Sequence, residues 1–321
     1  MSGAGKTQLL LTLLLAVQLP KPHGLEKAAI YISTEAALAT TRLTQLLAAH
    51  ASLAALPPNE KPSLERILAI KTPDLESQDH IVRYQLPVAI KKHNVGLVVL
   101  DSVAANYRAE FEKNGVKQGA AAMAKRGAQL VQLGALLRGL ARMHGIAVVV
   151  ANQVADRFTS PSINPPSNAP SRSTSTNSQN TERQNTPQPQ SNQLPTNPPS
   201  QNGEELVLSP DPLALDHQQS WFTGWGDIPS DPQHTLKTPS LGLVWTNQIA
   251  CRIALHKQPI VASRPLGPGN NEDHGDYEES HITRWRRWFK VVFAHWAPPS
   301  EGRGIEYELL KNGMQHVSKD E

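Results

Sequence analysis

"MSGAGKTQLL", residues 1–10, reads as the second half of a phosphate-binding loop. The complete pattern is G-x-x-x-x-G-K-[ST], whose glycine-permitted turns aim successive backbone N–H groups at the phosphates of a nucleotide. Gly3 and Gly5 supply turns, Lys6 a point charge for the β- and γ-phosphates, and Thr7 a hydroxyl suited to magnesium. ATP and magnesium are the expected ligands. Counting back from Gly5, the pattern's opening glycine falls just before Met1, and the strand that feeds such a loop is also missing. The expectation is a truncated or mis-started version of a longer protein. Lys6 followed by the apolar run Leu9 to Val17 also has the makeup of a secretory signal peptide, but "AVQLPKP" offers no small-x-small cleavage site.

Outward from this loop, helices and strands alternate. Thr7 to Val17 continues as a leucine-rich helix stopped near Pro20, and "AAIYIS", Ala28 to Ser33, is a short buried strand. Ala36 to Ala55 reads as helix, Ile67 to Ile70 as strand, and Gln78 to His93 as helix despite Pro87. "VGLVVLDS" and "IAVVVANQ" are continuous apolar runs of the kind buried on both faces of a parallel sheet, separated by a long helix from Gly119 to His144. This rhythm means α/β with a mostly parallel sheet flanked by helices. The last third changes character: "CRIALHK" and "WFKVVFAHW" read as two strands, and "GIEYELLKNGMQHV" as a hairpin turning at Asn312 and Gly313. Antiparallel strands after a parallel core predict a C-terminal extension of the sheet at one edge.

In open parallel sheets ligands gather beyond the carboxyl ends of the strands. Three strand ends carry suitable groups. Asp101, after "LVVL", is a hard anionic oxygen for magnesium or its water shell; Glu35, after "IYIS", suits a general base polarising an attacking water; Gln153, after "VVVAN", is a neutral group able to orient the γ-phosphate. Each also has an ordinary structural use as a helix cap or loop opener. Their order along the chain, together with "SGAGKT", is what raises the joint reading above its parts.

The rest of the composition bounds the class. Lone Cys251 has no intramolecular disulfide partner, which fits a reducing compartment. No apolar run reaches the roughly 18 residues of a membrane helix, so no membrane partner is expected. Lys and Arg total 31 against 28 acidic residues, a net charge of +3 that announces no nucleic-acid binding by itself. From Thr159 to Asn202, 38 of 44 residues are Ser, Thr, Asn, Gln or Pro, too little apolar surface to offset ordering entropy. The predicted organisation is a core at 1–158 lacking its first strand, a disordered insert at 159–204, and the rest of the core at 205–321 with an acidic loop at 259–283. The twelve histidines and Cys251 show no metal-ligand spacing.

Four stretches together, "SGAGKTQLLL", "YISTEAALATTRL", "LVVLDSVAANYRAEF" and "AVVVANQVADRF", resemble the ATPase core of RecA-like recombinases, in particular the eukaryotic recombinase paralogues. "LDHQQSWFTGWGDIP", "LGLVWTNQIACRIAL" and "RWRRWFKVVFAHWAPP" most resemble a fungal DNA-repair mediator of that branch. The resemblance covers nearly the whole chain apart from the two polar inserts. It implies a RecA-like P-loop ATPase core with Gly3, Gly5, Lys6 and Thr7 as phosphate-loop residues. It also makes Glu35 the water-activating glutamate, Asp101 the magnesium-side aspartate, and Gln153 the link from γ-phosphate to a second DNA-binding loop. A first DNA loop would follow "ANYRAEF", where Arg108, Lys113, Lys117, Lys125 and Arg126 meet phosphates, or simply form a solvated helix face. Beyond Arg157 the second loop becomes the nearly uncharged insert, which argues against strong autonomous DNA binding.

The resemblance further implies a nuclear ATP-binding protein of homologous recombination. It would pair with a second recombinase paralogue, help the main recombinase load on single-stranded DNA, and hydrolyse ATP weakly. The alternative is a non-catalytic scaffold that uses the fold for protein interaction. The family's fold puts the strand before the P-loop inside the sheet, so residues 1–321 alone are expected to bind ATP poorly. "TRWRRWFK" invites a nucleic-acid reading, since Arg and Trp interleaved grip phosphates and stack on bases. Strand periodicity instead puts Trp285, Arg287, Phe289, Val291 and Phe293 on one face and Arg286, Trp288 and Lys290 on the other, which favours an ordinary sheet strand.

Overall fold

The computed structural model describes residues 3–113, 120–156, 237–239, 241–262 and 281–318. Its first half is a four-stranded parallel sheet with order β2-β1-β3-β4, formed by β1 (Ala28–Ser33), β2 (Ile67–Lys71), β3 (Val95–Asp101) and β4 (Ala147–Ala151). Strand alternation divides two cores between its faces. Ile30, Ile32, Val98 and Leu100 pack with helices α4 (Leu75–His80), α5 (Leu86–Lys92), α6 (Val103–Lys113) and α7 (Ala120–His144). Ala29, Tyr31, Leu97 and Val99 pack with α1 (Lys6–Ala16) and α2 (Thr40–Ala49). Leu11, Leu14 and Leu15 of α1 are almost wholly buried, so the run that also fitted a signal peptide is core.

Several expected boundaries shift for identifiable reasons. The predicted helix at Ala36–Ala55 starts only at Thr40 and breaks at His50, whose extended backbone separates α2 from the single turn α3 (Ala51–Ala54). The next helix starts earlier than Gln78, because Asp74 caps it by accepting from the Ser77 N–H at 2.7 Å. Pro87 is absorbed by a wider, π-type turn at Ile81–Gln85, which accommodates the N–H that proline lacks.

β4 is the clearer correction. It is as apolar as β3, yet Val148, Val149 and Val150 are only half-buried, whereas Val95 to Leu100 of β3 are buried throughout. β3 is hydrogen-bonded on both sides, to β1 and β4; β4 has β3 alone among the described residues. Short strands β5 (Val154–Asp156) and β6 (Lys237–Pro239) pair antiparallel, and α8 (Gly242–Thr246) locks onto α7 through Arg138, which donates to the Gln248 carbonyl at 2.7 Å.

Among the described residues the C-terminal extension forms a second sheet rather than an added edge of the first. Its order is β10-β9-β8-β7, all antiparallel, from β7 (Cys251–Ala262), β8 (His281–Ala294), β9 (Ile305–Leu310) and β10 (Gly313–His316). Both ends of the predicted acidic loop at 259–283 are strand, up to Ala262 and from His281; residues 263–280 lie outside the described residues, as does the insert at 159–204. The hairpin turns one residue earlier than expected, on Lys311 and Asn312, with Gly313 already paired to Leu310. "TRWRRWFK" is part of β8, and its alternation is the expected one: Trp288 and Lys290 are buried while Trp285 is exposed. The guanidinium groups of Arg286 and Arg303 lie 5.1 and 5.4 Å from the centre of the Trp288 ring.

Candidate nucleotide-binding site

The carboxyl ends of β1, β2 and β3 are tied together before any ligand is considered. The Thr34 N–H donates to the Asp101 carbonyl at 3.0 Å, and the Thr34 hydroxyl both accepts from the Ser102 N–H and donates to the Ser102 carbonyl, each at 2.9 Å. The Thr72 N–H reaches the Ser33 carbonyl at 2.8 Å. These bonds fix where Glu35 and Asp101 leave the sheet.

The phosphate loop faces the same strand ends. Gly3 and Gly5 have φ of +77° and +102°, left-handed values that only glycine adopts without strain, and Gly5 caps α1. A Cβ at Gly5 would press on Leu309 and the Tyr307 hydroxyl at 3.3 Å. The first N–H groups of α1 have no partner within the helix and carry the positive end of its dipole. They form an anion-accepting terminus beside Lys6.

The structure brings the predicted residues together in two pairs. The Thr7 hydroxyl donates to Asp101 Oδ2 at 3.3 Å. Gln153 Nε2 donates to Glu35 Oε1 at 2.7 Å, joining the ends of β1 and β4. A third residue, absent from the sequence reading, stands between them. The Tyr31 hydroxyl donates to Asp101 Oδ2 at 2.9 Å, and its proton is held well above the usual phenol range, first by burial, then by the charge and hydrogen bond of Asp101, and last by the charge of Glu35. Tyr31 therefore stays a neutral donor that aims the Asp101 carboxylate. The one available signal was a hydroxyl inside an otherwise apolar strand.

A hydroxyl and a carboxylate converging at 3.3 Å suit magnesium, which takes few protein oxygens and completes its shell with phosphates and water. Thr7 and Asp101 are the residues that would hold it. The candidate DNA contacts lie elsewhere. Arg108 and Lys113 are on α6 and Lys125 and Arg126 on α7, helices that pack on the sheet face opposite α1. Lys117 and Arg157 lie outside the described residues.

The Rad51 family model matches residues 2–171, more than half of the chain. The chain belongs to the Rad51 family. It is 38% identical over 276 residues to the DNA repair protein rhp57 of Schizosaccharomyces pombe, covering 83% of this chain and 64% of that protein. It is 27% identical over 347 residues to the DNA repair protein RAD57 of Saccharomyces cerevisiae, covering 98% and 72%. Over 160 residues it is 41% identical to the DNA repair protein XRCC3 of Bos taurus, 48% of this chain and 45% of that one. The chain thus spans less than two thirds of the length of rhp57. The Rad51 match covers the phosphate loop, Glu35, Asp101 and Gln153 together.

Proposed function

We propose that this chain is the ATP-binding core of a nuclear DNA-repair protein of homologous recombination. It acts as a recombinase paralogue that pairs with a second paralogue and assists the main recombinase in loading on single-stranded DNA. The observation that carries the reading is the meeting of the phosphate loop with Asp101 through Thr7, with the Glu35–Gln153 pair at the ends of β1 and β4, the strands on either side of β3. The DNA-repair assignment draws support from rhp57, RAD57 and XRCC3, each of which is described as a DNA repair protein.

In this reading the loop amides and Lys6 hold the β- and γ-phosphates. Magnesium on Thr7 and Asp101 supplies charge neutralisation at the phosphate oxygens when bound. The exposed Glu35 carboxylate accepts the proton of the attacking water. Gln153 holds that carboxylate through its 2.7 Å bond and stands two residues after β4, just before β5 and the segment from residue 157 onward. A rearrangement at Gln153 therefore reaches both the general base and that segment. DNA is bound weakly, through Arg108, Lys113, Lys117, Lys125, Arg126 and Arg157, and hydrolysis is slow.

A second reading, a scaffold that does not use hydrolysis, draws on the exposed Ile253, Val261, Ile282 and Ile305 of the antiparallel sheet. Lys6→Ala in the full-length protein separates the two. Loss of ATP binding together with loss of repair after DNA damage supports the ATP-driven reading; lost binding with intact repair supports the scaffold.

A further inference from the structure

The antiparallel sheet meets the phosphate loop along a single rung. Lys257 of β7 is the register partner of Arg287 of β8, which is the partner of Tyr307 of β9. Directly opposed residues share a face, so the three side chains stand side by side. All three reach the loop. Arg287 Nε donates to the Gly3 carbonyl at 3.3 Å, and the Tyr307 hydroxyl donates to the Ala4 carbonyl. The Lys257 ammonium lies 3.2 Å from the place of a Gly3 Cβ and 3.6 Å above the Trp285 ring. Leu309, two residues along β9 and so on the same face, fills the space a Gly5 side chain would take.

Holding a carbonyl orients the next amide. The peptide unit is planar and trans, so its C=O and N–H point in opposite directions. The bond to the Gly3 carbonyl therefore turns the Ala4 N–H away from the sheet, and the bond to the Ala4 carbonyl does the same for the Gly5 N–H. Both N–H groups then face the side of the loop opposite the antiparallel sheet. Burial helps keep Tyr307 a donor: only 4% of it is exposed, and its hydroxyl is pushed up to about 12, so it stays protonated at neutral pH.

We propose that Arg287 and Tyr307 are positioning residues of the nucleotide site, fixing the Ala4 and Gly5 amides in the orientation that accepts phosphate, with Lys257 adding positive charge beside the same loop. This rests on the nucleotide reading of the loop. It deepens that reading by making phosphate affinity depend on a sheet some 280 to 300 residues away in the chain.

The test is Tyr307→Phe in the full-length protein, with ATP and magnesium as the probe, titrated well below the melting temperature of the variant. The expected result is about tenfold weaker ATP binding, in line with the loss of one hydrogen bond. In 15N-glycine-labelled protein, the shift of the Gly5 amide on ATP addition should shrink as well. A tyrosine that only stabilises the fold would lower the melting temperature and leave both affinity and Gly5 shift unchanged, which would overturn the proposal while the nucleotide reading stands. Unmodified protein that fails to bind ATP overturns both. Should Tyr307→Phe not fold, Arg287→Gln removes the other carbonyl bond and is read in the same way through the Ala4 amide.

Discussion

The two sheets of this protein are stabilised in different ways. The parallel sheet is covered by helices on both faces, and its β1 and β3 residues are buried almost without interruption. The antiparallel sheet leaves Ile253, Val261, Ile282 and Ile305 exposed and buries single large residues, Trp288 and Tyr307 foremost. In the parallel sheet burial is spread over many aliphatic side chains, each of which still costs when truncated. In the antiparallel sheet it rests on a few large residues. The difference also bears on function, since the parallel sheet supplies the chemical groups of the candidate site and the antiparallel sheet holds the loop they face.

Truncating the anchors should give the largest effects. Trp288→Ala is expected to cost about 3–5 kcal/mol and Leu14→Ala, at a fully buried position of α1, about 2–5 kcal/mol. Urea unfolding followed by fluorescence and by circular dichroism would measure both. If the two substitutions shift one common transition, the contacts at Gly3 and Ala4 and those from Arg42 to the Leu310 and Lys311 carbonyls make the sheets unfold together. If Trp288→Ala splits off an early transition, the antiparallel sheet is an independent cooperative unit and the comparison sharpens.

A matched pair of hydroxyls ranks next. Tyr31 donates to a carboxylate and Tyr307 to a carbonyl. Hydrogen bonds to charged groups contribute about 1.5–3 kcal/mol and neutral ones about 0.5–1.5 kcal/mol, so Tyr31→Phe should destabilise more than Tyr307→Phe. Equal losses in melting experiments would break the comparison.

What the sequence disclosed follows the same division. Lys6, Thr7 and Asp101 were legible because their chemistry is local: a glycine-flanked lysine, and an acid ending an apolar run. Glu35 and Gln153 were legible as strand-end residues, although their pairing was not. β4 misled because "AVVVA" records what a strand can bury and says nothing of how many neighbours it has. Tyr31 was hidden inside a run that reads as core. Arg287 was placed on the correct face of β8 by alternation, but alternation cannot say what that face meets. The partners Gly3 and Ala4 lie at the other end of the chain, and the register of β7, β8 and β9 is set by connections rather than by pattern.

The smallest effect is the most diagnostic of how the antiparallel sheet handles its charge. Arg286 forms a two-pronged ion pair with Glu306, its Nε at 2.6 Å from one carboxylate oxygen and its Nη2 on the other. The arginine is partly exposed and the glutamate mostly covered, so the pair is worth about 0.5–1 kcal/mol at most after solvent screening. Glu306→Gln removes the negative charge that Arg286 pairs with, beside the Trp288 ring that the Arg303 guanidinium also approaches. The loss should therefore be larger at about 0.01 M than at about 1 M salt, where the screening length falls from about 30 to about 3 Å. A salt-independent loss would instead mean that Glu306 contributes through packing, and the antiparallel sheet would resemble the parallel one more closely than its exposed face suggests.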